Sequence, residues 1–208
     1  MRFMKACLAA SSLLCLVTAP AFASGTEQLA RFLSGVQSAS GVFSQNTVSR
    51  HAGQPEKSFS GSFMFKRPGK FVWTYEKPYQ QAVYCNGKTI SVWDPDLRQV
   101  TVKRMASAMP SSPASILFGN NDFRKDFQVK DLPDSNGTEW LEAVPRAKET
   151  AFTSIKLGFR DGMPVAMELK DNFGQTMNFT FSDLKKNPAI SASKFEFIPP
   201  KGAEVLAQ

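Results

Sequence analysis

The chain has 208 residues, 42% of them hydrophobic, and a formal net charge of +7 at neutral pH. That length suits one domain with a core of its own. The cations are scattered, nowhere denser than Lys66-Arg67, Lys103-Arg104 and Lys185-Lys186, whereas a nucleic-acid surface needs them clustered beside exposed aromatics.

The N-terminus reads as a secretory signal peptide over residues 1–23. Arg2 and Lys5 form a basic start, an apolar run too short to span a bilayer follows, and Ala21-Phe22-Ala23 is a small-x-small cleavage site. The domain is then 24–208, and losing Arg2 and Lys5 lowers its charge from +7 to +5. Cys7 and Cys15 leave with the signal, and Leu14 before Cys15 is too large for a lipobox. Cys85 stays alone in an apolar strand pattern, which predicts a core residue and no internal disulfide.

Residues 24–40 carry Leu29, Phe32, Leu33 and Val36 at helical spacing, and Ser24 with Glu27 has capping-box spacing. This helix is expected to end at Ser40-Gly41. The period then switches to two, with strands at "GVFSQNTVSRH", "SFSGSFMFK" and "KFVWTYE". The second and third put Phe63, Phe65, Phe71, Trp73 and Tyr75 at alternating positions around the Lys66–Gly69 turn. "QAVYC" and "KTISVW" flank Asn86-Gly87, a type I′ hairpin signal. After "DPDL" comes "RQVTVKRM".

Residues 109–123 break the pattern. Ser112, Pro113 and Gly119 punctuate a short helix bearing Ile116, Leu117 and Phe118, too apolar for an exposed loop. Five further strands follow, "TEWLEAV", "AFTSIKLGFR", "MPVAMELKD", "QTMNFTFSDL" and "KFEFIP". The expected architecture is mainly β with helices (α+β), an incomplete antiparallel β-barrel of about eleven strands. The two helices cover its concave side as an α-helical lid.

Two readings of the aromatic face stay open at this level. Alternating aromatics can be a plain packed core. With 18 Phe and 8 Met, and two short helices over a wide sheet, they can also line an apolar cavity for a lipid or acyl chain. Inward candidates are Phe63, Phe65, Phe71, Trp73, Tyr75, Trp93, Met167, Leu169 and Phe179, joined by Val83, Ile90, Val165, Met177 and Phe181. Catalytic readings find no support. His51 is the single histidine, Asp94 and Asp96 flank Pro95 as turn residues, and no phosphate loop or nucleophile elbow occurs. No metal or cofactor is expected.

The segments "GVFSQ", "GSFMFKRPGKFVWTYEKPYQQAV", "NGKTISVWDPDLRQVTV", "SPASILFG", "DNFGQTMNFTFSDLKKN" and "FEFIPPKGAEV" resemble, in order, the LolA family. The resemblance implies a monomeric, non-enzymatic periplasmic carrier with no nucleic-acid partner. It would take triacylated lipoproteins from an inner-membrane lipoprotein-releasing ABC transporter to an outer-membrane receptor lipoprotein. A periplasmic lipid- or lipoprotein-sensing regulator of the same fold is the alternative. The resemblance also gives Arg67 the role of latch on the lid of Ile116, Leu117 and Phe118, and puts Phe71 and Trp73 in the cavity.

Overall fold

A computed structural model describes residues 23–49, 56–105, 117–118, 123–147 and 150–208. The signal segment 1–22, His51, the expected turn at 53–55 and most of the mid-chain helix, Ile116 included, lie outside the described residues.

Helix α1 spans Gly25–Gly35, capped by Ser24, whose side chain accepts from the Glu27 N–H. It is shorter than the sequence suggests. Chain direction changes at Val36, and β1 already starts at Ser38, opposite Lys66 of β2. Asn187 secures the break. Its Oδ1 accepts from the Gln37 and Ser38 N–H groups, and its Nδ2 donates to the Gly35 carbonyl, which satisfies backbone groups that a helix end leaves orphaned.

The strands are β1 (Ser38–Ser49), β2 (Lys57–Lys66), β3 (Lys70–Lys77), β4 (Gln81–Asn86), β5 (Thr89–Asp94) and β6 (Gln99–Arg104). After a short α2 (Phe123–Asp126) come β7 (Phe127–Ser135), β8 (Thr138–Pro145), β9 (Phe152–Arg160), β10 (Met163–Asp171), β11 (Gln175–Lys186) and β12 (Glu204–Ala207). They form one open 12-stranded sheet in the order β12-β6-β5-β4-β3-β2-β1-β11-β10-β9-β8-β7. Two meanders are zipped together where β1 pairs with β11.

The strand list needs three corrections. "KFEFIP" is no strand: Ala192–Phe195 is a 3₁₀ turn and the chain then runs over the convex face. β12 was not foreseen, and it lies parallel to β6, so the sheet is not wholly antiparallel. β7 was also missed, because charges and Pro133 disguise it; both are tolerated there because β7 is an edge strand. The β4–β5 turn differs in type as well. Positive φ occurs at Gly87 alone, the first central residue, as type II′ requires.

The two faces of the sheet are chemically distinct across β7–β10. On the convex side Lys130, Glu142, Lys156 and Glu168 stand opposite one another in register, with ion pairs of 2.8 Å (Lys130–Glu142) and 2.9 Å (Lys156–Glu168). The alternate residues Ile155, Leu157, Leu141 and Ala143 are buried. Helix α1 covers them, and Phe32 bridges the two halves of the sheet, its ring 5.9 Å from both Phe65 and Phe159.

The N-terminus of α1 is tied to β7 by Asp131, whose Oδ1 accepts from the Thr26 N–H at 2.7 Å. Burial raises this carboxyl, but hydrogen bonds from Thr26 and Ser24 outweigh it and hold Asp131 below its ordinary value. A depressed carboxyl stabilises the fold above its unfolded pKa, and the contribution is lost as pH falls through the folded value. The thermal midpoint should therefore fall more steeply between neutral pH and about pH 3 in the wild type than in Asp131→Asn. Identical slopes would remove Asp131 from the docking of α1.

Gly61 marks the tightest approach in the sheet. A Cβ there would lie 1.8 Å from the Thr74 carbonyl oxygen and 2.9 Å from the Phe43 ring, beside the irregularity between Ser60 and Gly61 in the β2–β3 register. Gly61→Val should cost about 3 kcal/mol, since backbone and ring must both move. A urea midpoint equal to wild type would refute this.

Candidate functional site

Because β2 and β3 pair through Phe63↔Trp73 and Phe65↔Phe71, period-two geometry puts these four rings on one face. β1 adds Phe43, stacked on Trp73 at 4.2 Å, and β11 adds Phe179 and Phe181, 5.8 and 6.3 Å from Trp73. Met167 lies opposite Phe179, and Leu169 opposite Met177. The result is a continuous aromatic and aliphatic wall on the concave side, with Tyr75 at its end.

One candidate lies elsewhere. Trp93 faces the convex side, where Phe197 of the C-terminal segment packs on Tyr84 and Trp93 at 4.8 and 6.1 Å. The reason is parity. Cys85 pairs with Ile90 on the Phe71 face, so Val92 follows inward and Trp93 turns outward. Phe43 and Gln45, like Val92, are inward residues that sequence reasoning missed. Phe43 and Gln45 share β1 parity with Ala39, the partner of Phe65, a register that only the structure supplies.

The wall is capped by the protein itself. Leu117 and Phe118 are helical and buried. The Phe118 ring sits 5.1 Å from Phe65, 5.4 Å from Phe71, 6.2 Å from Phe63 and 6.4 Å from Trp73. The gap left between these groups, α1 and Phe181 holds about 10 Å³, about the limit for one water. A larger depression of about 260 Å³ lies on the convex face, rimmed by Ser40, Ser62, Thr74, Asp183 and Lys185. Apart from Phe63 its lining is made of small, polar and aliphatic residues.

Arg67 joins the two covering pieces. Its Nε donates to the Val36 carbonyl at 2.9 Å and its Nη2 to the Leu117 carbonyl at 2.7 Å. The guanidinium also lies over the Phe32 and Phe65 rings, 5.3 and 5.0 Å from their centroids. A planar, multi-donor cation suits this task, since one side chain can hold carbonyls of two segments at once. The first carbonyl closes the C-terminal end of α1, where positive charge is favoured. Burial draws the Arg67 pKa down to about 10, which leaves it charged at neutral pH with carbonyl oxygens and rings in place of water.

Gln45 and Tyr75 add polarity where the apolar wall ends. Tyr75 Oη donates to Gln45 Oε1 at 3.1 Å, and Gln45 Nε2 donates to Thr47 Oγ1 at 3.1 Å. Burial pushes the Tyr75 hydroxyl above its ordinary pKa. Cys85 is fully buried, its thiol 3.0 Å from the Gly69 carbonyl and raised in pKa by burial, so its place is the core. Among the described residues no cluster of three or more His, Cys, Asp or Glu could hold a metal. No helix among them is long and apolar enough to cross a membrane.

Comparison with known proteins gives a consistent set of likenesses. The family profile described as "Outer membrane lipoprotein carrier protein LolA" matches residues 34–198. A protein of Cupriavidus necator named outer-membrane lipoprotein carrier protein is 47% identical, over 92% of this chain and 92% of its own length. One of the same name from Bordetella avium is 42% identical over 99% and 98%. Among solved structures, a LolA superfamily protein from Nitrosomonas europaea aligns with a TM-score of 0.52 at 11% identity, covering 82% of this chain and 95% of that one. An uncharacterised conserved protein from Thermus thermophilus aligns at 0.56 and 10% identity, covering 88% and 96%. At such identities these structures share the fold alone.

Proposed function

This chain belongs to the LolA family of outer-membrane lipoprotein carrier proteins, and from that premise we propose that it carries lipoproteins across the periplasm with their acyl chains held against its concave aromatic wall. The observation that carries this reading is a wall of rings filled by the protein's own Phe118 and fastened by Arg67. A core needs no latch, whereas a carrier needs a site that can open and close.

The energetics explain the closure. Acyl chains gain ~0.8 kcal/mol per buried methylene, so a sixteen-carbon chain has a gross drive of ~12 kcal/mol into an apolar site. Cargo bound with all of that would not leave. Opening must first break the Arg67 bonds and separate Leu117 and Phe118 from the wall, and this cost is subtracted from the binding energy. Cargo can then pass on to a site that needs no opening. In this reading Phe63, Phe65, Phe71, Trp73, Met167, Leu169 and Phe179 form the wall, Ile116, Leu117 and Phe118 the lid, and Arg67 the latch.

The donor is an inner-membrane lipoprotein-releasing ABC transporter and the acceptor an outer-membrane receptor lipoprotein. Residues 1–23 are the export signal, and 24–208 form the single carrier domain. Incubating the mature protein with spheroplasts tests the whole reading. Lipoprotein should appear in the soluble fraction in complex with it, and lipoprotein remaining wholly with the membranes would overturn the carrier role.

A further inference from the structure

We propose that Gln45, Tyr75 and Thr47 form a polar subsite for the ester and amide carbonyls that join acyl chains to a lipoprotein's N-terminal cysteine; this rests on the carrier reading above. Position 45 departs from the apolar pattern around it. Gln45 is only 5% exposed and occupies an inward position of β1, between Phe59 of β2 and Phe179 of β11. A leucine there would complete the apolar wall. Burying an amide among rings costs about 1–3 kcal/mol unless it is hydrogen-bonded, and a local choice of this kind against the general pattern marks a functional position.

The amide is bonded to groups that share its level. Tyr75 Oη donates to it and it donates to Thr47, both at 3.1 Å. Gln81, opposite Tyr75 in register, continues the polar level into β4. The concave face is thus graded along parallel directions in two strands. β3 reads Phe71, Trp73, Tyr75 inward, and β1 reads Ala39, Gly41, Phe43, Gln45, Thr47. Apolar residues stand at the Arg67 end and hydrogen-bonding residues further on; in β3, Phe71 and Tyr75 are four residues apart, about 13 Å at the rise of a strand.

An acylated cysteine has the same gradient. Its chains are apolar to the methyl end, and their carbonyls cluster where they meet the glycerol and the amine. Chains laid toward Phe71 and Trp73 bring those carbonyls to the level of Gln45 and Tyr75. Carbonyl oxygens accept hydrogen bonds and donate none. The hydroxyl of Tyr75 and the amide N–H of Gln45 are donors that can exchange their internal bonds for bonds to cargo. Free hydrocarbon offers nothing in return, so the subsite selects linked acyl chains over bare ones.

The test compares two synthetic lipopeptides of equal chain length that share the same amide-linked chain, one with ester-linked glycerol chains (the carbonyl form) and one with ether-linked glycerol chains (the ether form). The wild-type protein should bind the carbonyl form about tenfold more tightly, the worth of one or two net hydrogen bonds. The double variant Gln45→Met with Tyr75→Phe should erase that preference and bind the two forms with similar affinity, and a thermal midpoint near that of the wild type shows that it is folded. Equal wild-type binding of both probes, or a preference that survives in the variant, would overturn the subsite and leave the carrier reading standing. Failure of the wild type to bind either probe would instead overturn the carrier reading, and the subsite with it.

Discussion

Arg67→Leu is expected to take up lipoprotein as well as the wild type and to release it to an acceptor at least tenfold more slowly. Leucine keeps apolar contact with Phe32 and Phe65 but has no donor for the Val36 and Leu117 carbonyls, which Arg67 now holds at 2.9 and 2.7 Å. Hydrogen bonds from a charged donor are each worth about 1.5–3 kcal/mol. The sum is not all available, because burial of the guanidinium, visible in its lowered pKa, opposes it. A net loss of about 1.4 kcal/mol still shifts the closed–open balance tenfold. In the proposed cycle only the empty protein closes, so the shift favours the loaded form. Arg67→Lys should fall between the two, since one ammonium on a flexible stem reaches both carbonyls poorly. Transfer of bound lipoprotein to receptor-bearing vesicles, followed over time, is the measurement. Release at the wild-type rate would end the latch account.

Much of this arrangement is legible in the sequence, and the parts that are not have identifiable physical causes. The stripe Leu29, Phe32, Leu33 and Val36 and the alternation from Phe63 to Tyr75 follow from helix and strand periods, and both are where those periods put them. Trp93 was misplaced because its half of the sheet is covered on both faces. Phe195 and Phe197 pack on the convex side, so Val72, Tyr84, Trp93 and Val100 are apolar although they point away from the concavity. A strand buried on both sides loses the alternation that reveals its direction. β12 was hidden because its parallel pairing with β6 is a long-range event with no hairpin signal. The partner of Arg67 is a backbone oxygen, that of Leu117, and no residue type marks such an acceptor. Gln45 was overlooked for the opposite reason. A lone glutamine in an alternating strand reads as solvent-facing until its register with Phe59 and Phe179 is known.

The plug and the wall should respond to truncation in opposite directions, which separates a carrier from a plain core. Phe118→Ala removes a ring from contact with Phe63, Phe65, Phe71 and Trp73. Removing a fully buried phenylalanine costs about 3–5 kcal/mol, and here the loss falls on the closed empty form. The apparent affinity for cargo is the intrinsic affinity multiplied by the open fraction. Phe118→Ala should therefore bind a triacylated lipopeptide at least tenfold more tightly than wild type, with slower release. Phe179→Ala tests the wall. Its ring contacts Phe43, Trp73 and Phe181, so its loss removes surface that the bound chain would cover. About 40 Å² of lost apolar contact is worth ~1 kcal/mol, a fall of about fivefold in affinity. Tryptophan fluorescence titration reads both variants, because Trp73, one of three tryptophans, borders both rings. A plain core predicts that both truncations destabilise the fold and neither binds lipopeptide better. If Phe118→Ala and Phe179→Ala weaken binding alike, Phe118 belongs to the wall and the protein has no plug.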